Sequence, residues 1–530
     1  MKCCLSSFVF LLSVTASSAQ HASHRLAPIP LEIVERPVTM RAGVPRAHDD
    51  TGSPSKEAQA FYDQGLAYLH SFVWIEAARS FNAALRSDPT LAMAHLGLSI
   101  AFTELNRPAG AQKAFDAAAA HAPQDAHARR HIDVRRLQMF AEGAPGDAAK
   151  LAAYRQALDA AITAFPQDAE FVLLRGMAES GDAADRGQGS LAASVRYYER
   201  ALALEPGYFA AHHFLAHAHE NAGHQAAALP HAATFAKQAA EIPHARHMHG
   251  HSLRRVGRVH DAIVEFEAAD RLHRQYAQRE KIAPEYDWHF EHNLGLLATS
   301  LHYTGQIKRA ETLLKTAFAL PTNLLVQAYN KREWPMFLRA RGRYTEAEAA
   351  AKVLIGHANP VVQATGHIEA GFALLAQQRW GEAANASNAA LRLLRTAPGG
   401  AVAATALQAL QGEFNLRTAE RAKGRAMLEE AAKKLRAAPG PDAWSQALFS
   451  LEQMARSART VGDWELAGKL AGHMAEHDPA YGGTHYALAL VAEHGEDAAT
   501  AKAELALALK SWAKADPDLP ELVEIRKKLK

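Results

Sequence analysis

Apolar and small residues recur along most of this chain with the three- and four-residue spacing of helices, in blocks punctuated by Gly and Pro. In FYDQGLAYLHSFVWIEAARSFNAALRSDP the small residues Gly65, Ala77 and Ala84 accompany an aromatic at Phe81, and Pro89 closes the block. The same grammar returns in LAMAHLGLSIAF, where Gly97 takes a close-packed position. Gly223 and Ala228 are followed 34 residues later by Gly257 and Ala262, with Phe266 and Ala269 completing the pattern. Further units are marked by Gly305/Ala310, Gly342/Ala347, Trp380/Ala383 and Gly462/Ala467, and a weaker one runs from Tyr486 to Leu509. Small residues let paired helices approach closely, and stacking buries faces that no single unit buries alone.

These spacings resemble the tetratricopeptide-repeat (TPR) family, whose unit is two antiparallel helices repeated every 34 residues. The resemblance implies an all-α fold, a right-handed superhelical solenoid of helix-turn-helix repeats. The expected organisation is an extended arm over 20–56, N-terminal TPR units over 57–125, an irregular helical segment over 126–185, central His-rich units over 186–320 and C-terminal TPR-like repeats over 321–530. Residues 126–185 show helical patterning with poor repeat grammar, and 274–290 inserts extra residues before the unit of Gly305.

The first residues change the setting. Lys2, an apolar core from Leu5 to Val14 and Ala16-Ser17-Ser18-Ala19 predict a secretory signal over 1–19, cleaved after Ala19, and hence an exported protein, periplasmic or secreted. That core is too short to span a bilayer, which takes roughly 20 residues, and no later stretch is long and uncharged enough to be a transmembrane segment. The Pro-rich arm that follows lacks helical periodicity. Cys3 and Cys4 are the only cysteines and leave with the signal, so disulfides, Cys-ligated zinc and Cys nucleophiles are excluded from the mature chain. Lys plus Arg number 58 against 56 Asp plus Glu, so no overall field favours nucleic acid.

Histidine is distributed unevenly: 15 of the 29 lie between His212 and His302. His213, His217 and Glu220 stand at i, i+4, i+7 and share one helical face, as do His244, His247 and His251 at i, i+3, i+7. His213 and His247 are 34 residues apart, as are His217 and His251, so repeat phase aligns the two stripes on neighbouring helices. In TPR proteins the first helices line a concave groove. The resemblance carries ligand-contacting positions onto His213, His217 and Glu220, then His247, His251 and Arg254, then Gly295, Thr299 and His302, with His244, His289 and His292 on the same face. Imidazoles reaching from two helices packed roughly 8–10 Å apart are able to share one ion, and imidazole with carboxylate suits zinc or copper better than calcium or magnesium. The candidate metal set is His213, His217, Glu220, His244, His247 and His251; a groove without metal, using the same imidazoles against a peptide or as a pH-responsive surface, has the same signature. In the first unit, His70 and Glu76 are the polar residues to watch, with capping and surface roles as the plainer alternative.

The blocks HHFLAHAHENAG, PHARHMHGHSLRRVGR and YDWHFEHNLGLLA, with the arm segment RPVTMRAGVPRAHDD and the first unit, also resemble a His-bearing pattern in exported bacterial TPR proteins of mostly unassigned function. His249 stands where that pattern often has proline. Standard enzyme signatures are missing: His219-Glu220 is followed by the next histidine at His224, one position too far for H-E-x-x-H, and neither a nucleophile elbow nor a phosphate loop is present. The expectation is a scaffold that recognises a protein or peptide partner through its groove and carries a His-rich transition-metal site. The alternative is a metal-dependent enzyme in the same groove, with Glu220 as base.

Overall fold

A computed structural model describes residues 29–179, 191–322, 324–397, 400–418, 420–438 and 441–530. The expected signal and the first residues of the arm lie outside this range. Among the described residues the regular structure is helical, and successive helices pair as antiparallel hairpins that stack on their neighbours, the architecture of a TPR-type solenoid. None of these helices is long and apolar enough to cross a membrane.

Ten helices matter for the site and are labelled in chain order: α1 (Lys56–Leu69), α2 (Trp74–Ser87), α3 (Ala126–Glu142), α4 (Ala169–Met177), α5 (Phe209–Asn221), α6 (Gln225–Gln238), α7 (Pro243–Arg255), α8 (Val259–Glu280), α9 (Trp288–Tyr303) and α10 (Pro441–Thr460). The repeat grammar is visible as packing. The Phe81 ring fills the notch left by Gly97, where an added Cβ would lie 2.4 Å from it, and Phe266 fills the notch of Gly250 on α7 at 2.7 Å. Gly223 and Gly257 end α5 and α7 with φ of +79° and +81°, the left-handed conformation that glycine adopts without steric cost.

Three departures from the repeat bring distant parts together. Residues 29–55 are an arm strapped to the first hairpin rather than a free tail: Arg41 N–H donates to Gln64 at 2.8 Å, Asn82 donates to the Val34 carbonyl at 2.9 Å, and the Arg41 guanidinium pairs with Glu280 at 2.6 Å. The extra residues around 274–290 lengthen α8, whose C-terminal end returns to α2 through Arg79–Glu280 at 2.7 Å and Tyr276–Glu76 at 3.1 Å. Residues 126–177, poor in repeat grammar, still form helices packed in sequence, with the Tyr198 ring packed against Gly176 where the first unit and the unit of Gly250 use Phe. The first hairpin is thereby drawn against the inner face of the central units, and the stretch of the concave face that carries the histidines is enclosed.

Candidate metal centre

Most of the cluster is enclosed, with His217 and His292 half-buried. His213 is 0% exposed, His247 1%, His244 3% and His251 4%. An open groove lined with imidazoles, expected from the family's geometry, is therefore replaced by a buried cluster, because the turn between α1 and α2 covers α5 and α7 on one side and α10 approaches on the other.

Two triads form within it. In the first, Nε2 of His213 lies 3.0 Å from Nε2 of His244, Nε2 of His217 lies 3.1 Å from that of His213, and the His217–His244 pair is at 3.4 Å. A triangle with these edges has a circumradius of about 1.8 Å, so an ion at the roughly 2.0 Å of a metal–imidazole bond sits just off its plane. His213 is held for this role: its Nδ1–H donates to the backbone carbonyl of His70 at 2.7 Å, which leaves Nε2 as a lone-pair donor facing the other two rings. His70 thus acts through its carbonyl, while its own ring meets Glu170 at 3.0 Å.

The second triad is His247, His251 and His292, whose ligand nitrogens lie within 4.8 Å of one another. Here too the far ring nitrogens are anchored. Asn293 donates its amide N–H to the Phe266 carbonyl at 3.0 Å, which turns its Oδ1 to accept from His247 Nδ1–H at 3.0 Å. His251 Nδ1–H donates to Glu220 at 2.9 Å, and His251 Nε2 is buried with no hydrogen-bond partner. Glu220, expected as a direct ligand or a base, takes this outer place instead, because α5 and α7 cross so that its carboxylate meets the back of the His251 ring. Burial is the largest influence on that carboxyl and pushes it up, but His251, His217 and Arg255 outweigh it and hold it below the usual range. The Glu220–His251 pair is the carboxylate–histidine arrangement that orients metal ligands and raises their basicity.

The electrostatics favour neutral rings. Burial, then the neighbouring imidazoles His289 and His213, drives the His244 pKa well below its ordinary value, and burial with His251 and His292 does the same for His247. His289 packs against His244 at a ring separation of 4.4 Å and stacks on Trp288 at 3.9 Å; burial, then His273 and His292, likewise lowers its pKa. The two triads are adjacent because α7 supplies both, with His244 in one and His247 and His251 one and two turns on.

Phe72 closes the first triad. Its ring lies 4.5 Å from that of His213, 5.4 Å from His244 and 5.6 Å from His217. Its φ is +59°, so it occupies the left-handed turn position that Gly223 and Gly257 hold in their units. A bulky residue there carries a backbone cost of roughly 1–2 kcal/mol, which the buried aromatic contacts offset. Beyond Phe72 a cavity of about 110 Å³ reaches the rings of His244 and His289, walled by Trp74, Glu76, Tyr276 and Trp288. Burial raises the pKa of the Glu76 carboxyl despite its pairing with Arg79.

The remaining expected residues fall elsewhere. Thr299 bonds the carbonyls of its own helix, Gly295 and Leu296, because its hydroxyl points back along α9. His302 stacks on Phe449 at 4.2 Å, one face further along the solenoid. Arg254 lies buried against the Trp444 ring at 5.0 Å, and burial lowers its pKa to about 10. His292, assigned on sequence to a groove surface, is drawn into the second triad; its Nδ1 faces Asp442 of α10 at 3.7 Å. Asp442 lies far along the chain from the histidines, and nothing in its local sequence marks it.

No protein-family model matches the chain, and no curated protein matches it. Among solved structures it is similar to the APC/C hetero-tetramer Cut9-Hcn1, with TM-score 0.31 and 12% identity over 89% of this chain and 84% of that one. It is also similar to the apo form of the quorum sensor NprR from B. thuringiensis, with TM-score 0.43 and 10% identity over 73% of this chain and 97% of that one. Neither likeness bears on the histidine cluster, and the TPR-type architecture rests on the chain's own hairpins and notch packing.

Proposed function

We propose that this protein is an exported helical-repeat metalloprotein that holds two adjacent transition-metal ions, one in each triad. The observation that carries the reading is the convergence of three Nε2 atoms at 3.0, 3.1 and 3.4 Å in a buried site where one of the three imidazoles is anchored through Nδ1 to a carbonyl. A neutral imidazole carries one N–H, so with His213 Nε2 as acceptor the neutral rings are able to bridge these contacts by hydrogen bonds but leave Nε2–H groups or lone pairs of the other two facing each other, whereas one ion takes all three nitrogens as ligands. An all-imidazole set suits copper or zinc rather than calcium or magnesium. The anchoring of His247 by Asn293 and of His251 by Glu220 supports the same assignment for the second triad.

The test is titration of the metal-free chain with zinc and with copper. The triads are expected to account for two equivalents per chain, His213→Ala removing one and His247→Ala the other; variants that keep full stoichiometry contradict the assignment. Partner recognition, which suits a repeat scaffold, then falls to faces of the solenoid other than the enclosed histidine stretch.

The cavity behind Phe72 favours a second reading, in which the ions activate a small molecule. Three protein ligands leave positions open on each ion, and the cavity meets the rings of His244 and His289 with Glu76 in its wall as a group able to hold a proton. Azide added to the copper- or cobalt-loaded chain is expected to shift its visible spectrum; an unchanged spectrum at saturating azide contradicts open coordination positions and leaves the ions structural.

A further inference from the structure

A third cluster lies outside the central units, on helices whose sequence lacks repeat grammar. His127 and His131 stand at i, i+4 on α3 and face Asp168 at the start of α4. Asp168 is the N-cap of α4: its Oδ1 accepts from the backbone N–H of Glu170 at 2.7 Å and of Phe171 at 3.2 Å, which fixes the carboxylate and turns Oδ2 toward the two rings. Oδ2 lies 2.5 Å from Nε2 of His127 and 3.5 Å from Nε2 of His131.

The rings are set by aromatic packing rather than by chance contact. His131 stacks on Phe171 at 4.0 Å with planes 16° apart, and His127 stands edge-on to Phe165 at 5.0 Å. His131 is 6% exposed and its Nε2 makes no hydrogen bond, since 3.5 Å to Asp168 is too long for one. Asp168 thus pairs closely with His127 and only loosely with His131, whose Nε2 is left without a hydrogen bond of ordinary length. Ligand atoms around a tetrahedral ion at about 2.1 Å lie about 3.4 Å apart, which the His131–Asp168 pair already matches, while the His127–Asp168 pair has to open by about 1 Å.

We propose that His127, His131 and Asp168 form a separate site for a single divalent transition metal. The donor set is two imidazoles and one carboxylate, in contrast to the all-nitrogen triads, and this set suits zinc or ferrous iron with positions left open. Those positions face a cavity of about 360 Å³ that Asp49, His70, Glu170 and Tyr208 also line, so water and a small polar ligand reach the ion. Glu170 accepts from Tyr208 and contacts His70, whose carbonyl anchors His213; one buried polar chain therefore runs from this cavity to the first triad.

The experiment uses the full chain carrying His213→Ala and His247→Ala, so that its outcome does not depend on the two triads. Zinc binding is measured by competition with a chromophoric chelator, and cobalt substitution supplies a visible spectrum. One zinc per chain is expected in this background. Asp168→Asn keeps the capping oxygen but loses the anionic ligand and is expected to weaken zinc at least tenfold with helix content unchanged, and His131→Gln to do the same. A folded background protein that binds no zinc, or one whose affinity Asp168→Asn and His131→Gln leave unchanged, overturns the site. Should the background chain fail to fold, the same two single substitutions in the unaltered chain are each expected to remove one zinc equivalent; no loss overturns the proposal equally.

Discussion

The central unit of α7 and α8 and the C-terminal unit of Pro360–Ala376 and Trp380–Leu394 are built on one hairpin frame but bury different chemistry. Both second helices present a buried alanine to the partner, Ala262 at 0% and Ala383 at 1% exposure. On the first helices the two diverge: α7 buries His244, His247 and His251, whereas Pro360–Ala376 buries Val362, Ile368, Phe372 and Leu375 and only a few polar groups, among them Glu369, which faces Arg339 at 3.7 Å. The frame is thus held by small residues and notch-filling aromatics, and the inner face of the first helix is free to carry function. Burying several imidazoles there costs desolvation that aliphatic side chains do not, a cost that the metal ion proposed for each triad would offset.

Removing metal breaks this comparison most strongly. At free metal a thousandfold above Kd, binding stabilises the fold by about 4 kcal/mol per site; a chelator is therefore expected to lower the calorimetric unfolding temperature of the whole protein, and to lower that of the His213→Ala, His247→Ala variant, which has lost both triads, by much less. Next in size is the frame itself. Phe266→Ala deletes a ring that is 0% exposed and fills the Gly250 notch, and a loss of about 3–5 kcal/mol is expected in chemical denaturation, with or without metal.

Acid sharpens the difference between buried imidazole and buried aliphatic. His302 is well away from both triads, and burial, followed by the charges of Arg341 and Arg456, lowers its pKa well below 6.5. A histidine depressed in the folded state contributes stability that is present above the unfolded value and lost as pH falls, because only the unfolded chain takes up the proton. The loss is about 1.4 kcal/mol per pH unit below about 6.5. His302→Gln is expected to flatten the acid limb of the stability profile by that slope, whereas an unchanged limb refutes a neutral buried His302.

The smallest effect isolates the turn. Phe72→Gly and Phe72→Ala both remove the ring over the first triad and differ only in how they tolerate φ of +59°. The alanine variant is expected to be less stable by about 1 kcal/mol, the same difference expected of Gly257→Ala at φ of +81°. Equal stabilities would mean that the turn relaxes once the ring is gone.

The fold was largely legible because repeat spacing is local: Gly223/Ala228 and Gly257/Ala262 mark the hairpins, and phase alone aligns His213 with His247 and His217 with His251. Much less of the site's shape was legible, because what encloses it comes from far along the chain. Phe72 covers His213 from 141 positions away, and Asp442 approaches His292 from 150 positions away, at separations that no periodicity encodes. Glu220 shares a helical face with the histidines, but whether it points at an ion or at the back of His251 depends on how α5 and α7 cross. The His127/His131 pair carried a readable signal, two histidines one turn apart in AHARRHIDV. Its partner Asp168 is an ordinary helix cap whose second oxygen becomes a ligand candidate only when α3 and α4 are packed together.

The most direct measurement is an anomalous-difference map, collected at the metal absorption edge from crystals of chain loaded with copper or zinc. The account predicts a peak in each triad, one about 2 Å from the Nε2 atoms of His213, His217 and His244 and one equally placed among His247, His251 and His292. Loaded crystals with no peak inside either triad would contradict it and leave the histidines as a buried hydrogen-bonded core.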